Sequence, residues 1–561
     1  MRLGVNPVWN SYTQPNIVWL NLLRGPASDW TGRKATTPFT FDWGPTNGGP
    51  DLDIDTDGNV LSLAADQQVQ CALLSQANGR KDFSVAGRRL VLYYRGTGAW
   101  TVTGGSVTYA LISNDTGSNP KRAVLSVNAP SSSAEIYFRL TSVDAGDPIK
   151  LYDANADDLG LIEEEYEDRW LSGQRFHPEY LAMNDFCRDI RFLNPGNVND
   201  STQTAWADRR PQAYRSQRSA GGWTNSDAFA PTAQTSYEEM IALCNATGKR
   251  PWFCIPHLAT DDYVTQLGTL VRDTLNPSLK VRFEWSNEVW NNIFDQYDHA
   301  ADEGLLLWPA LAATPWIAAQ RYYGLRTSQV MDLLSAVFTG AHAPRLIRMA
   351  CWHAVNPGNC ETMLDFTDAV TLTPLKDHID RVGTAPYIGG DMGNNPQATV
   401  TTAPYDKAVQ DMTAAEVMGW LRSGGSADIA SRMVFLSQYR DLCDERGLGL
   451  DLYECGQHLA NGTGLSGNAT LTAVLNGANV HADMEACYYE YLRAIHPYLN
   501  DPDAVACLLS DTYPPGATGD WGWRRTQNTT PRPPKERGIR KYAASLVQRR
   551  VPRLVAAGAL R

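Results

Sequence analysis

The sequence predicts an α/β protein, a (β/α)8 TIM barrel preceded by an N-terminal β-sandwich domain. Three observations carry this expectation. From about residue 180, strand-like apolar runs alternate with amphipathic helical stretches, the rhythm of a parallel sheet. Between about residues 35 and 155, short β-rich runs are separated at regular spacing by Gly, Asn, Asp and Ser, the pattern of a sandwich. Two strand-like runs of the second region end in glutamate. They are Val281–Asn292 (VRFEWSNEVWNN) and Leu450–His458 (LDLYECGQH), whose Glu288 and Glu454 lie 166 residues apart.

The 561 residues exceed one ordinary domain. The expected division is a β-sandwich accessory domain with linker over 1–175, a catalytic barrel over 176–545 and a basic tail over 546–561. Hydrophobic residues at 43% and charged residues at 20% are a globular balance. A net charge of -12 argues against nucleic acid as a partner, because a polyanion needs a basic surface. The cluster Arg537, Arg540, Lys541, Arg549, Arg550 and Arg553 reads as a solvated helix tail. No apolar run reaches the roughly 18 to 20 residues that span a bilayer, so no membrane insertion is expected. The opening MRLGVNPVWNSYTQ lacks the basic and apolar regions of a signal peptide. Ten cysteines form no CxxC pair, which argues against a metal site, and no cofactor is expected. Cys254, Cys351, Cys455 and Cys507 lie in or beside barrel strands, where free thiols pack as small apolar groups. Reduced thiols without an export signal imply folding in a cytoplasm. Action on a glycan outside the cell would then require release by lysis or as part of a virion or tail-like assembly.

In the β-rich region the expected strands are Val60–Ala64, Arg89–Tyr94, Ser106–Ile112, Arg122–Val127 and Ala134–Leu140, with turns at Asp57-Gly58, Gly96–Gly98, Gly104-Gly105 and Asn114–Asn119. Such a domain either binds carbohydrate or buttresses the barrel. Barrel strands are expected at Asp189–Leu193, Pro251–Ile255, Val281–Trp285, Leu346–Cys351, Arg381–Tyr387, Leu450–Tyr453 and Val505–Leu509. These count as strands one and three to eight, with the second hidden in 197–230. Helices are expected at Tyr237–Ala246, Asp261–Leu275, Ile317–Phe338, Ala414–Leu421, Ala427–Arg446 and Met484–Ile495. Thr260 ahead of Asp261-Asp262 makes a helix N-terminus. The long Gly-, Asn- and Thr-rich segment Gly389–Thr413 would form a substrate-binding loop.

Barrel active sites form where the C-terminal strand ends meet. Glycoside hydrolysis needs two carboxyl groups there, one to protonate the leaving oxygen and one to attack the sugar or activate water. Trp285 and Trp290 around Glu288 would supply the apolar setting that raises an acid's pKa, and Asn287 can bond a sugar hydroxyl. His257, Trp352 and His353 end strands and can face sugar. Gln457 and His458 follow Glu454 closely enough to orient it or to reach substrate. Asp511 reads as structural, and the acidic run Glu163–Glu165 as a solvated linker. The spaced aspartates of DLDIDTDG (51–58) lack the downstream glutamate of a calcium loop and read as a strand and turn.

The Asn287-Glu288 pair and the lone Glu454 resemble the clan-A glycoside hydrolases, the superfamily of many cellulases, xylanases and β-galactosidases. The resemblance covers roughly residues 180–545. More narrowly, SNEVWN and YECGQH resemble bacterial and phage clan-A-like proteins that carry an N-terminal β-domain. It implies Glu288 as acid/base on strand four and Glu454 as nucleophile on strand seven, with retention of configuration. It also implies Arg191 bracing the nucleophile, Tyr387 touching it, and Trp521 or Trp523 flooring the sugar site.

The expected function is therefore a retaining hydrolase of a polysaccharide or cell-surface glycan. Carboxyl groups about 5 to 5.5 Å apart would fit retention, and about 8 to 9 Å inversion. The second reading is a glycan-recognition module of a phage tail or tail-like particle with little or no hydrolytic activity. Nucleotide-dependent chemistry is disfavoured, since the chain has no P-loop and no GxGxxG.

Overall fold

The computed structural model describes residues 1–8, 16–24, 30–34, 41–42, 52–75, 88–104, 107–128, 135–153, 155–156, 158–219, 234–394, 397–401, 406–424, 428–527 and 529–558. A closed barrel of eight parallel strands forms its centre: β1 (Arg2–Asn6), β2 (Asp189–Phe192), β3 (Arg250–Ile255), β4 (Val281–Trp285), β5 (Leu346–Cys351), β6 (Arg381–Thr384), β7 (Gly449–Cys455) and β8 (Val505–Leu509), paired in that order. β1 closes the ring, with Gly4 opposite Asp189 of β2 and opposite Cys507 of β8.

The helices around it are α1 (Tyr237–Thr247), α2 (Asp261–Thr274), α3 (Asp295–Leu307), α4 (Pro315–Val337), α5 (Pro357–Asp365), α6 (Ala414–Ser423), α7 (Ile429–Glu445), α8 (Ala469–Asn479), α9 (Met484–Ile495) and α10 (Pro534–Gly558). Their starts are set by local chemistry. The Thr260 hydroxyl accepts the Tyr263 N–H at 3.2 Å, and Thr413 with Glu416 closes a capping box on α6.

Between β1 and β2 lie a two-stranded antiparallel sheet, Asp53–Ile54 with Val60–Ser62, and two larger antiparallel sheets. One runs Gly160–Glu163, Arg88–Tyr94, Lys121–Asn128, Thr108–Asp115, and the other Phe41–Asp42, Thr31–Lys34, Gln67–Ser75, Glu135–Val143, Gly98–Thr103. Leu90, Leu92 and Leu125 of the first share one buried core with Val69, Phe138 and Leu140 of the second, a sandwich-like arrangement. Glu239 on α1 ties this region to the barrel, accepting from Trp19 Nε1 at 2.9 Å and pairing with Arg24 at 2.8 Å and Arg175 at 2.5 Å. Burial pushes the Glu239 carboxyl up, but the two arginines win and hold it at about 2.

Side chains alternate along the barrel strands. Trp252, Cys254, Met349, Cys351, Tyr453, Val505 and Cys507 cluster inside the barrel, while Ile190, Phe192, Phe253, Phe283, Trp285, Leu450 and Leu452 pack outward against the helices. The lower interior is ionic. Arg282 pairs with Asp189 at 2.8 Å and Asp451 at 2.9 Å, and Arg381 pairs with Asp451 at 2.8 Å. Two glycines make room for interior thiols: a Cβ at Gly4 would sit 2.6 Å from Cys507 Sγ, and one at Gly383 2.5 Å from Cys351 Sγ.

Several expectations change. The missing barrel strand is β1, which precedes the two sheets and lies inside 1–175. Residues 197–219 hold no strand, and 220–233 lie outside the described residues. The run 189–193 is thus the second strand. Helices α3, α5 and α8 occupy stretches given no helix above. Glu163 is buried, not solvated, and bonds Arg88 at 2.8 Å; burial raises its carboxyl to about 7. The basic segment continues α10, whose Ile539 and Tyr542 are buried; Arg537 pairs with Glu485 at 2.6 Å and Arg540 with Asp185 at 2.7 Å. In DLDIDTDG, Asp51 lies outside the described residues, and Asp55 closes a turn by accepting the Asp57 and Asn59 N–H groups at 3.0 and 2.8 Å. All ten cysteines are buried and none forms a disulfide. No helix among the described residues is long and apolar enough to cross a membrane.

Gly4→Ala should destabilise the fold by about 1–3 kcal/mol through overpacking. Cys507→Ala in the same chain should recover part of that loss, read as a favourable coupling in a double-mutant cycle of denaturant midpoints.

Candidate active site

Glu288 and Glu454 meet at the C-terminal end of the barrel, and neither arrives there by plain strand alternation. β4 points Arg282 and Glu284 inward and Phe283 and Trp285 outward. Past its end the chain turns through Ser286 (φ 60°) and Glu288 (φ 44°), left-handed conformations rare for residues with a side chain. Such strain persists where the surroundings impose it, and it is concentrated at functional sites. On β7, Asp451 and Tyr453 point inward, so alternation would send Glu454 outward. The pairing of β7 with β8 shifts register between Leu452 and Cys455, and both Tyr453 and Glu454 reach the interior.

The two carboxylates are held differently. Glu288 accepts from Tyr453 Oη at 3.1 Å and Asn291 Nδ2 at 3.0 Å. Burial, then the Glu454 charge, raises its carboxyl to about 7 despite these bonds. Glu454 accepts from Arg191 NH1 at 3.1 Å and from Tyr387 Oη at 2.8 Å. Burial raises this carboxyl too, opposed by Arg191 and by the Tyr387 hydrogen bond. Arg191 also donates to Asn287 Oδ1 at 2.8 Å, and Asn287 Nδ2 donates to Asn199 Oδ1 at 3.0 Å, so the amide is fixed at both ends.

Aromatic groups flank the pair on both sides. Trp290 stacks on His353, centroids 4.1 Å apart at 13°. On the far side Trp521 meets His458 at 4.8 Å and Tyr387 at 5.8 Å. His257 is buried 5.3 Å from His299, with its Nδ1 unpaired; burial and His299 lower it to about 4, and burial lowers His353 to about 4 as well, so both rings stay neutral at neutral pH.

Four expected neighbours lie elsewhere. Trp285 faces outward against Tyr322 and Tyr323 at 6.0 and 5.8 Å, so it does not line Glu288. Trp352 is buried against Tyr323 at 5.8 Å. Trp523 packs on Phe186 at 5.4 Å, leaving Trp521 alone of the two beside Tyr387. Gln457 bridges loops, donating to Asp520 O at 3.1 Å and accepting from Leu459 N at 2.6 Å. Asp511 is a structural tie, accepting from Val8 N at 3.1 Å and Thr512 N at 2.8 Å.

Sequence reasoning missed Asn6, Glu284, Asn199, Asn291 and Tyr453. Of these, Tyr453 carried a readable signal, standing beside Glu454 in YECGQH. No group of three or more His, Cys, Asp or Glu among the described residues is arranged to hold a metal.

No protein-family model and no curated protein sequence matches the chain. Solved structures of similar fold include three enzymes. One is a Bacteroidetes-affiliated GH5 cellulase linked with a polysaccharide utilization locus, at 11% identity over 65% of this chain and 86% of that one, TM-score 0.35. A Cellulomonas fimi endo-β-1,4-mannanase double mutant shares 12% identity over 64% of each chain, TM-score 0.33. An arabinose-bound GH51 α-L-arabinofuranosidase shares 10% over 94% of this chain and 78% of that one, TM-score 0.43. Identities and TM-scores this low carry no argument about activity; the barrel rests on its own strand pairing, and that pairing is the fold the sequence resemblance implied.

Arg191→Leu should cost about 3–5 kcal/mol, because it strands buried carboxylates without their cation. The loss should be larger at alkaline than at acidic pH, since Glu454, whose carboxyl burial raises, can take up a proton as pH falls. Denaturant unfolding at alkaline and acidic pH measures both effects.

Proposed function

We propose that this protein is a retaining glycoside hydrolase that cleaves a polysaccharide by double displacement. The observation that carries the reading is the pair of unlike glutamates at one barrel mouth. Burial and its neighbour's charge raise the Glu288 carboxyl to about 7, whereas at Glu454, which burial also raises, Arg191 and Tyr387 bond the carboxylate and favour its ionised form. The carboxyl bonded by a cation is assigned as the nucleophile, and the one bonded only by neutral donors as the acid.

In the first step Glu288 gives its proton to the glycosidic oxygen as the bond from that oxygen to the anomeric carbon breaks. Glu454 forms an ester bond to that carbon. In the second step Glu288, now a carboxylate, takes a proton from water as the water oxygen bonds the anomeric carbon and frees Glu454. The Trp290–His353 stack and the Trp521 edge offer apolar faces on which sugar rings can lie. On this reading the substrate is a glycan outside the producing cell.

Parent and Glu454→Gln protein would be incubated with bacterial capsules, exopolysaccharides, cell-wall glycans and plant β-glucans. Reducing ends should appear with the parent and fall by about 10³-fold or more in the variant. Proton NMR of the first-formed product should show the anomeric configuration of the substrate. Binding by both proteins without release would move the assignment to a glycan-recognition module.

The pH profile follows from the same geometry. The acid works only while protonated, so kcat/KM should fall as pH rises through about 7, where Glu288 loses its proton. At low pH it should fall as Glu454 is protonated. Removing the Glu454 charge should move the Glu288 ionisation down, readable by carboxyl NMR titration of Glu454→Gln.

A further inference from the structure

Below the two glutamates lies a third buried carboxylate, Glu284, which the two-step chemistry does not use. It sits on β4 three residues before Asn287, and it is 1% exposed. Arg191 Nε donates to its Oε2 and NH2 to its Oε1, both at 3.0 Å; Trp252 Nε1 donates to Oε2 at 2.9 Å and Cys254 Sγ at 3.5 Å.

A guanidinium carries five N–H donors in a planar fork. In Arg191 all five are taken: two by Glu284, one by Asn6 Oδ1 at 3.2 Å, one by Glu454 at 3.1 Å and one by Asn287 at 2.8 Å. Gripping the Nε edge fixes the guanidinium plane, so the direction of the remaining N–H groups is set by Glu284 rather than by Glu454. The charge is shared as well. One cation faces two anions, and Glu284 takes the two-point grip while Glu454 receives a single bond.

We propose that Glu284 is a positioning residue for this site, holding Arg191 so that one N–H meets Glu454 and another meets Asn287, and absorbing enough of the cation's charge that Glu454 keeps the electron density of a nucleophile. The proposal rests on the two-glutamate reading above for its catalytic meaning. Its electrostatic half is independent of that reading. After burial, which raises the Glu454 carboxyl, and Arg191, which lowers it, the Glu284 charge is a further force raising it.

The test is a carboxyl NMR titration of protein labelled with ¹³C in the glutamate carboxyl carbons, the Glu454 resonance being identified by its loss in Glu454→Gln. In Glu284→Gln, Glu454 should ionise at lower pH than in the parent. In Glu284→Asp, which keeps the charge one methylene back, it should ionise near the parental pH. On a cleaved glycan both variants should lose about 10- to 100-fold in kcat, as expected for a misplaced catalytic group, with KM changed less than kcat. A folded Glu284→Gln with parental Glu454 titration overturns the proposal. If Glu284→Gln does not fold, Glu284→Asp decides: parental kcat overturns the positioning role, and reduced kcat at parental titration supports it. If no glycan is cleaved by the parent, the hydrolase reading falls while the titration still decides whether Glu284 sets the state of Glu454.

Discussion

The buried guanidinium of Arg191 is the constraint around which the upper barrel is arranged. A charge removed from water is tolerable only when its donors are satisfied, and an isolated one would cost several kcal/mol. Here the satisfying groups come from different strands: Asn6 from β1, Glu284 and Asn287 from β4 and the loop after it, and Glu454 from β7. Trp252 and Tyr453 add aromatic faces 5.5 and 5.0 Å from the cation. Residues distant in sequence are thereby brought to one point, and the placing of Glu454 and Asn287 beside each other follows from satisfying one cation.

Getting both glutamates to that point required two departures from regular structure. Ser286 and Glu288 accept left-handed backbone, and β7 slips register beside β8. Both let a strand deliver two functional side chains to the same side, which the two-residue repeat of a strand forbids. Each departure is anchored by side-chain bonds. Tyr453 and Asn291 hold Glu288, while Tyr387 and Arg191 hold Glu454.

Much of this was legible in the sequence because it depends on local signals. The helices α1, α2, α4, α6, α7 and α9 follow apolar periodicity, four of them (α1, α2, α6, α7) behind side-chain N-caps, and both catalytic candidates end strands with recognisable aromatic neighbours. What was not legible depends on distant partners. β1 is only RLGVN, a stretch with no strand pattern of its own, and its neighbours in the sheet lie far along the chain. Glu284 alternates with Phe283 and Trp285, so periodicity alone makes it resemble a solvent-facing carboxylate on a half-buried strand. Only the barrel's polar interior reverses that. Trp521 and Trp523 are two residues apart in a loop without period, and nothing local says which enters the site and which packs on Phe186.

The placement of β1 also governs how the chain can assemble. Its ladder partners begin at Asp189 on one side and at Val505 on the other. β1, made before the other barrel strands, therefore waits through a whole β-rich insertion for one neighbour and through all the intervening barrel strands for the other. Such non-local pairing slows folding, because a long loop must close before its contacts reward it. The sheets of the insertion pair only among themselves, so they can form early and keep the chain compact in the interval. Ring closure by β8 is then the late event, and until it happens β1 and its apolar Leu3 and Val5 remain a half-paired edge able to capture the wrong strand. Asn6 can reach Arg191 as soon as β1 pairs with β2, whereas Glu454 on β7 reaches it only when nearly the whole ring has been made, so the cation's last partner arrives late in barrel assembly.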